Sequence, residues 1–181
     1  MNTAAENAIH EWVRLASGLP ADHVLWEGRH PYPSGTWILM RVTGSRDFGA
    51  PWVDRKATAG DNVEYTARGL REARLELQCI AGDEGGEASC VALLEDVIGK
   101  RLLPSHRTAL SAAGVGLGAV APVRWIPAGR EALFEPRALV EIAVNLASEA
   151  SETGPAIKHV EVEGTVDGNV ITFWTPDAPP P

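Results

Sequence analysis

Cysteine is scarce. Only Cys79 and Cys90 occur in 181 residues, and they do not form a CxxC pair. Cys79 falls in a strand pattern and Cys90 at the start of a helix pattern, so both are expected to be buried, reduced thiols. Basic residues are also few, 16 lysines and arginines against 24 acids, giving a net charge of −8 and a pI of about 5.1. This argues against a free-standing nucleic-acid binder, which needs a basic patch to displace counterions. An acidic surface is also what a wall facing DNA without gripping it would need, but most acidic proteins are simply soluble. No apolar run approaches the roughly 18 residues of a membrane span, so no membrane partner is expected. The start, Met-Asn-Thr-Ala-Ala-Glu-Asn, lacks a basic stretch followed by an apolar one. It does not read as a signal peptide, and a cytosolic location is expected.

Motifs that carry chemistry are missing as well. Gly114-Val-Gly-Leu-Gly118 lacks the GxGxxG order and the GK[ST] ending, and it follows a helix pattern instead of a strand. Asp83-Glu84 among glycines lacks the alternating oxygen ligands of a calcium loop. His10, His23, His30, His106 and His159 show no HxxxH or HxH spacing. There is no GxSxG elbow, and no carboxylate pair stands out as general acid and base. The tryptophans at 12, 26, 37, 52, 125 and 174 lack interleaved basic residues, so they read as packing and not as a base-stacking platform. No catalytic residue, cofactor or metal is expected.

What the chain does have is the composition of a folded domain, 45% hydrophobic and 22% charged. Its length suits one domain over 1–176. Asp177-Ala-Pro-Pro-Pro181 reads as a disordered tail that cannot pack or pair. The organising stretch is Phe134 to Leu146. There Val140, Ile142, Val144 and Leu146 alternate with Glu141, Ala143 and Asn145, which predicts a strand with one buried face. Glu135-Pro-Arg137 stiffens its approach.

The rest follows in order. Ile9, Trp12, Val13 and Ala16 predict an amphipathic helix that begins at Thr3, with Glu6 as capping-box partner, and ends at Gly18. Val24 to Trp26 is a short extended piece. Thr36 to Thr43 predicts a strand covered on both faces. Val63 to Ala67 and Arg74 to Cys79 predict two strands, or one bent strand broken at Gly69. Glu87 to Leu103 predicts the strongest helix, with Val91, Leu94, Ile98 and Leu102 as its stripe. A shorter helix follows from Ser105 to Ala113. Val115 to Ala132 is loose, with a possible strand at Pro122 to Ile126. Ser148 to Pro155 reads as a polar turn. Ile157 to Glu163 and Val170 to Thr175 predict a hairpin around Asp167-Gly168. Helices this few and this clustered exclude alternating βαβ units. The expected fold is α+β, a mainly antiparallel sheet with two or three helices packed on one face.

Gly44 to Asn62 reads as a long irregular connection, longer than soluble loops usually are. Phe48 and Trp52 lie among its charges. Either they fold back on their own core or they meet another subunit, since aromatics and arginine are enriched in interface cores. Arg46, Phe48, Trp52, Asp54 and Arg55 are therefore the candidate interface residues.

Two stretches together carry a resemblance. Val24-Leu-Trp-Glu-Gly-Arg-His-Pro-Tyr-Pro-Ser-Gly-Thr-Trp-Ile38 resembles the early motif of phage neck or tail terminator proteins, and Phe134-Glu-Pro-Arg-Ala-Leu-Val-Glu-Ile142 resembles their late motif. The elements between them follow the family's order. Ile80-Ala-Gly82 departs from the family's aromatic-Gly pair, and Glu27-Gly-Arg-His30 departs from its polar run. The resemblance implies a tail-terminator-like fold and a virion structural protein at the head–tail junction, present in the host cytoplasm during assembly. It implies a homo-oligomeric ring, a hexamer, whose partners are the tail tube protein and the head–tail connector, with DNA only passing through the lumen. The alternatives are another phage assembly part, for head completion or as a baseplate adaptor, and a small enzyme whose site converges only in space. Clustering of His106, His159 and acids in one pocket would favour the enzyme.

Overall fold

The computed structural model describes residues 3–28, 31–58, 62–81, 87–126, 128–130, 133–155, 161–166 and 169–174. Helix α1 spans Thr3–Ser17 and buries Ala5, Ile9, Trp12, Val13 and Ala16, which recur every three or four residues. It stops where the Gly18 N–H donates to the Arg14 carbonyl at 3.0 Å. A 3-10 turn at Ala21–His23 leads into β1, Val24–Trp26. Then come β2 (Trp37–Ala57), β3 (Asn62–Ile80), α2 (Glu87–Lys100), α3 (Pro104–Ala112), β4 (Val115–Val120) and β5 (Arg124–Trp125). Strands β6 (Ala128–Arg130), β7 (Leu133–Glu135), β8 (Arg137–Pro155), β9 (Glu161–Val166) and β10 (Asn169–Trp174) complete the order.

Six strands form the main sheet in the order β1-β2-β3-β8-β4, with β5 also on β8. The β1–β2 pair is parallel, with Val24 opposite Ile38. The β4–β8 and β5–β8 pairs are antiparallel. Ion pairs give the direction of the central strands. Arg41–Glu76, Arg46–Glu72 and Asp47–Arg71 rise along β2 as they fall along β3, so these strands run antiparallel. Arg68 beside Glu149, and Tyr65 beside Gly154, order β3 and β8 the same way. The expected α+β class with a mainly antiparallel sheet is what folds, and of the expected two or three helices, three are present among the described residues.

Contacts divide the chain into two compact parts, Met1–Pro51 with Gly69–Ser148, and Trp52–Arg68 with Glu149–Pro181. The first part holds the core. One cluster combines the helix stripes with alternate residues of the sheet: Ile38 and Met40 on β2, Leu75 and Leu77 on β3, Val140, Ile142 and Val144 on β8. The helices therefore cover one face of the sheet. Full burial of each such side chain stabilises by about 1.5–3 kcal/mol before chain entropy is counted. On the opposite face, Leu25, Trp37 and Ile80 form a second small cluster with Leu39 against it. This explains why the sequence from Trp37 to Met40 is apolar on both sides. In the second part, β9 and β10 form an antiparallel pair, with Asn169 opposite Val166 and Trp174 opposite Glu161. The expected Asp167-Gly168 turn, residues 157–160 of the expected strand, and the tail at 177–181 lie outside the described residues.

Several local expectations are corrected. The expected irregular connection from Gly44 to Asn62 is strand over its first part, since β2 continues to Ala57, and residues 59–61 lie outside the described residues. Ser148 to Pro155 is not a turn but the end of β8, and β3 passes Gly69 without a break. The reason is common to β2 and β8. Residues 43–57 are almost all exposed, so neither face of β2 is buried there and no period of two is imposed. Gly49, at φ +80°, also interrupts the alternation. Helix α2 ends at Lys100, three residues early, and Leu102 is 63% exposed instead of joining the stripe. Pro104 forces Leu103 into an extended conformation (φ −64°, ψ 135°) and itself starts α3, one residue before the expected start at Ser105.

Candidate interaction surface

The five candidate residues all lie on β2, and the partners of Arg46, Trp52, Asp54 and Arg55 lie on β2 or β3. In the first part, the Arg46 guanidinium donates to Glu72 Oε1 at 3.0 Å. Beside it, Arg71 pairs with Asp47 at 3.2 Å and donates to the Ser45 hydroxyl. The Phe48 ring, 57% exposed, has Leu70 of β3 as another exposed apolar side chain of this part. Opposite charges facing across strands fix register more than they add stability, since exposed pairs contribute only about 0–1 kcal/mol each.

In the second part, Trp52 is 68% exposed and its indole N–H donates to Asp54 Oδ1 at 2.7 Å. That bond orients a large apolar ring while leaving its face in water. Asp54 also meets Arg68 at 3.5 Å, and Arg68 in turn meets Glu149 at 3.0 Å. The Arg55 guanidinium lies 5.8 Å from the centre of the Tyr65 ring, within cation–π range. Trp52 and Asp54 are thus brought together, while Arg46 and Arg55 each have their own partner. Sequence reasoning missed Tyr65, Arg68, Arg71, Glu72 and Glu149. The signal was the mirrored charge order, Arg46-Asp47 against Arg71-Glu72, which becomes readable once β2 and β3 are known to pair.

Groups that suggested chemistry are held structurally. A His10 ring nitrogen bonds the Val24 carbonyl at 2.8 Å, and His23 does the same with the Thr36 carbonyl at 2.8 Å. His10 also lines a cleft of about 600 Å3 with Asn7, Asp22, Trp26 and Tyr32. His159 lies outside the described residues. Cys79 and Cys90 are free and buried, as expected. Hydrogen bonding to Cys90, together with burial, pushes the Cys79 thiol up and away from the reactive thiolate. The Cys90 thiol also lies 3.6 Å from the Pro136 carbonyl. Among the described residues, no group of three His, Cys, Asp or Glu side chains could hold a metal ion, and no helix is long and apolar enough to cross a membrane.

No protein-family model matches the chain, and no curated protein matches it.

Proposed function

We propose that this chain is a phage head–tail junction protein of the neck or tail terminator type, a structural subunit and not an enzyme. Its copies assemble into a hexameric ring that caps the tail tube and meets the head connector. The supporting observation is β2. Its residues 43–57 are held in strand conformation, yet Phe48 in the first part is exposed beside the ion pairs of Arg46 and Asp47, and Trp52 and Val53 in the second part are exposed as well. Large aromatic side chains fixed in an extended strand suit a subunit contact, since aromatics dominate the energetics of interfaces. A ring needs heterologous contacts, in which one patch meets a different patch on the next copy. The two sequence stretches that resemble tail-terminator motifs, and the net charge of −8, which would suit a wall facing DNA, support the same reading.

The test is the molar mass by light scattering over a range of concentrations, with negative-stain imaging, alone and with tail tubes of the same virion. Ring-shaped particles near the mass of a hexamer are expected. A protein that stays monomeric alone and neither binds nor caps the tubes refutes the reading.

A further inference from the structure

A second surface lies at the other end of the sheet order from β1. Strand β4 is the last strand on that side, so among the described residues its outer edge has no strand partner. The Gly114 carbonyl accepts from the Ala147 N–H of β8 at 2.8 Å, and Val115 and Leu117 sit opposite Leu146 and Val144. By the alternation of an antiparallel ladder, the N–H and C=O groups of Val115 and Leu117 then point away from β8, towards the open edge. Helix α3 packs beside β4 and presents Arg107, Leu110 and Ser111 on one face. With Arg101 and Leu102 they enclose a groove of about 390 Å3 along the strand.

This groove brings together two arginines that have no acidic partner among the described residues. Arg14, Arg41, Arg46, Arg68, Arg71 and Arg124 each pair with a carboxylate. Arg101 instead donates to the Ile98 carbonyl, and neither Arg101 nor Arg107 meets an acidic side chain among the described residues. Two unneutralised guanidinium groups thus flank one groove in a protein of net charge −8. Leu102 stands exposed at its wall and Leu117 is half-buried beside it, while Leu110 and Val115 are buried behind them.

We propose that this groove binds an extended acidic peptide segment of a partner protein. The segment adds as a strand to the open edge of β4, its carboxylates meet Arg101 and Arg107, and its apolar side chains lie against Leu102 and Leu117. An open strand edge offers donors and acceptors at the spacing of another peptide backbone, which a sugar-phosphate chain does not match. The leucine side chains along the groove disfavour nucleic acid further. The groove contains none of the β2 residues and does not depend on ring assembly.

The test uses the full chain and a short fluorescent peptide that alternates valine and glutamate, followed by anisotropy. Saturable binding is expected, and raised salt should weaken it. The double variant Arg101→Glu/Arg107→Glu should lose about tenfold or more in affinity with its melting curve unchanged, while Arg101→Lys/Arg107→Lys keeps most of it. Methylating alternate amides of the peptide should weaken binding similarly without touching the protein. The proposal is overturned if the peptide does not bind at millimolar concentration, or if its lysine counterpart or methylated form binds as well. Tighter binding of a single-stranded oligonucleotide at the same arginines also overturns it.

Discussion

Removing Arg41 should leave a buried carboxylate short of its main partner. Glu76 is only 6% exposed, on the sheet face that carries no helix. Its Oε1 accepts from Arg41 Nη2 at 2.7 Å and from Gln78 Nε2 at 2.6 Å. Arg41 itself keeps 40% of its side chain in solvent and also approaches Glu27 at 3.6 Å. An exposed pair contributes about 0–1 kcal/mol, and breaking a fully buried one costs about 3–5 kcal/mol. With the acceptor buried and the donor half in water, Arg41→Met should cost about 2 kcal/mol. For a chain of this size that lowers the thermal midpoint by roughly 4–8 °C. The double variant Arg41→Met/Glu76→Leu should recover to within about 1 kcal/mol of the parent. It removes both charges next to the apolar face formed by Leu25, Trp37, Leu39 and Ile80. Urea and thermal unfolding of both variants, with Lys56→Met as an exposed control, measure this. A single variant no worse than the control, or a double variant as damaged as the single, would refute the account of the pair.

Three further outcomes are expected. Phe48→Ser with Trp52→Ser should change monomer stability by no more than about 0.5 kcal/mol, since both rings are exposed, yet abolish ring formation in light scattering. Gly114→Ala should cost about 1–3 kcal/mol in chemical unfolding, because φ is +71° there and a new Cβ would sit 3.1 Å from that of Ala147. On α1, hydrogen bonding to Arg14 holds the Glu11 carboxyl below its usual range. The small stabilisation this gives is present above the unfolded carboxyl pKa and lost as pH falls through the lower folded value. Arg14→Ala should therefore narrow the stability difference between neutral and acidic pH, as followed by circular dichroism.

The helices and the buried half of the sheet were legible because burial writes periodicity into sequence. Ile9, Trp12, Val13 and Ala16 carry the spacing of α1, and Val140, Ile142 and Val144 that of β8, since each set faces one core. The α+β class follows from how few and how clustered those helices are. Where β2 and β8 leave the core, the same rule fails. Residues 43–57 bury neither face, so their sequence obeys solubility and cross-strand charge pairing, and it looks like a loop. Only tertiary structure decided that Arg46 finds Glu72, that Arg55 finds Tyr65, and that, among the described residues, β4 ends the sheet beside two arginines that meet no acidic side chain. Those partners sit on different strands of the sheet. A strand's sequence states which faces it can bury, but not which strand lies beside it or which edge stays open.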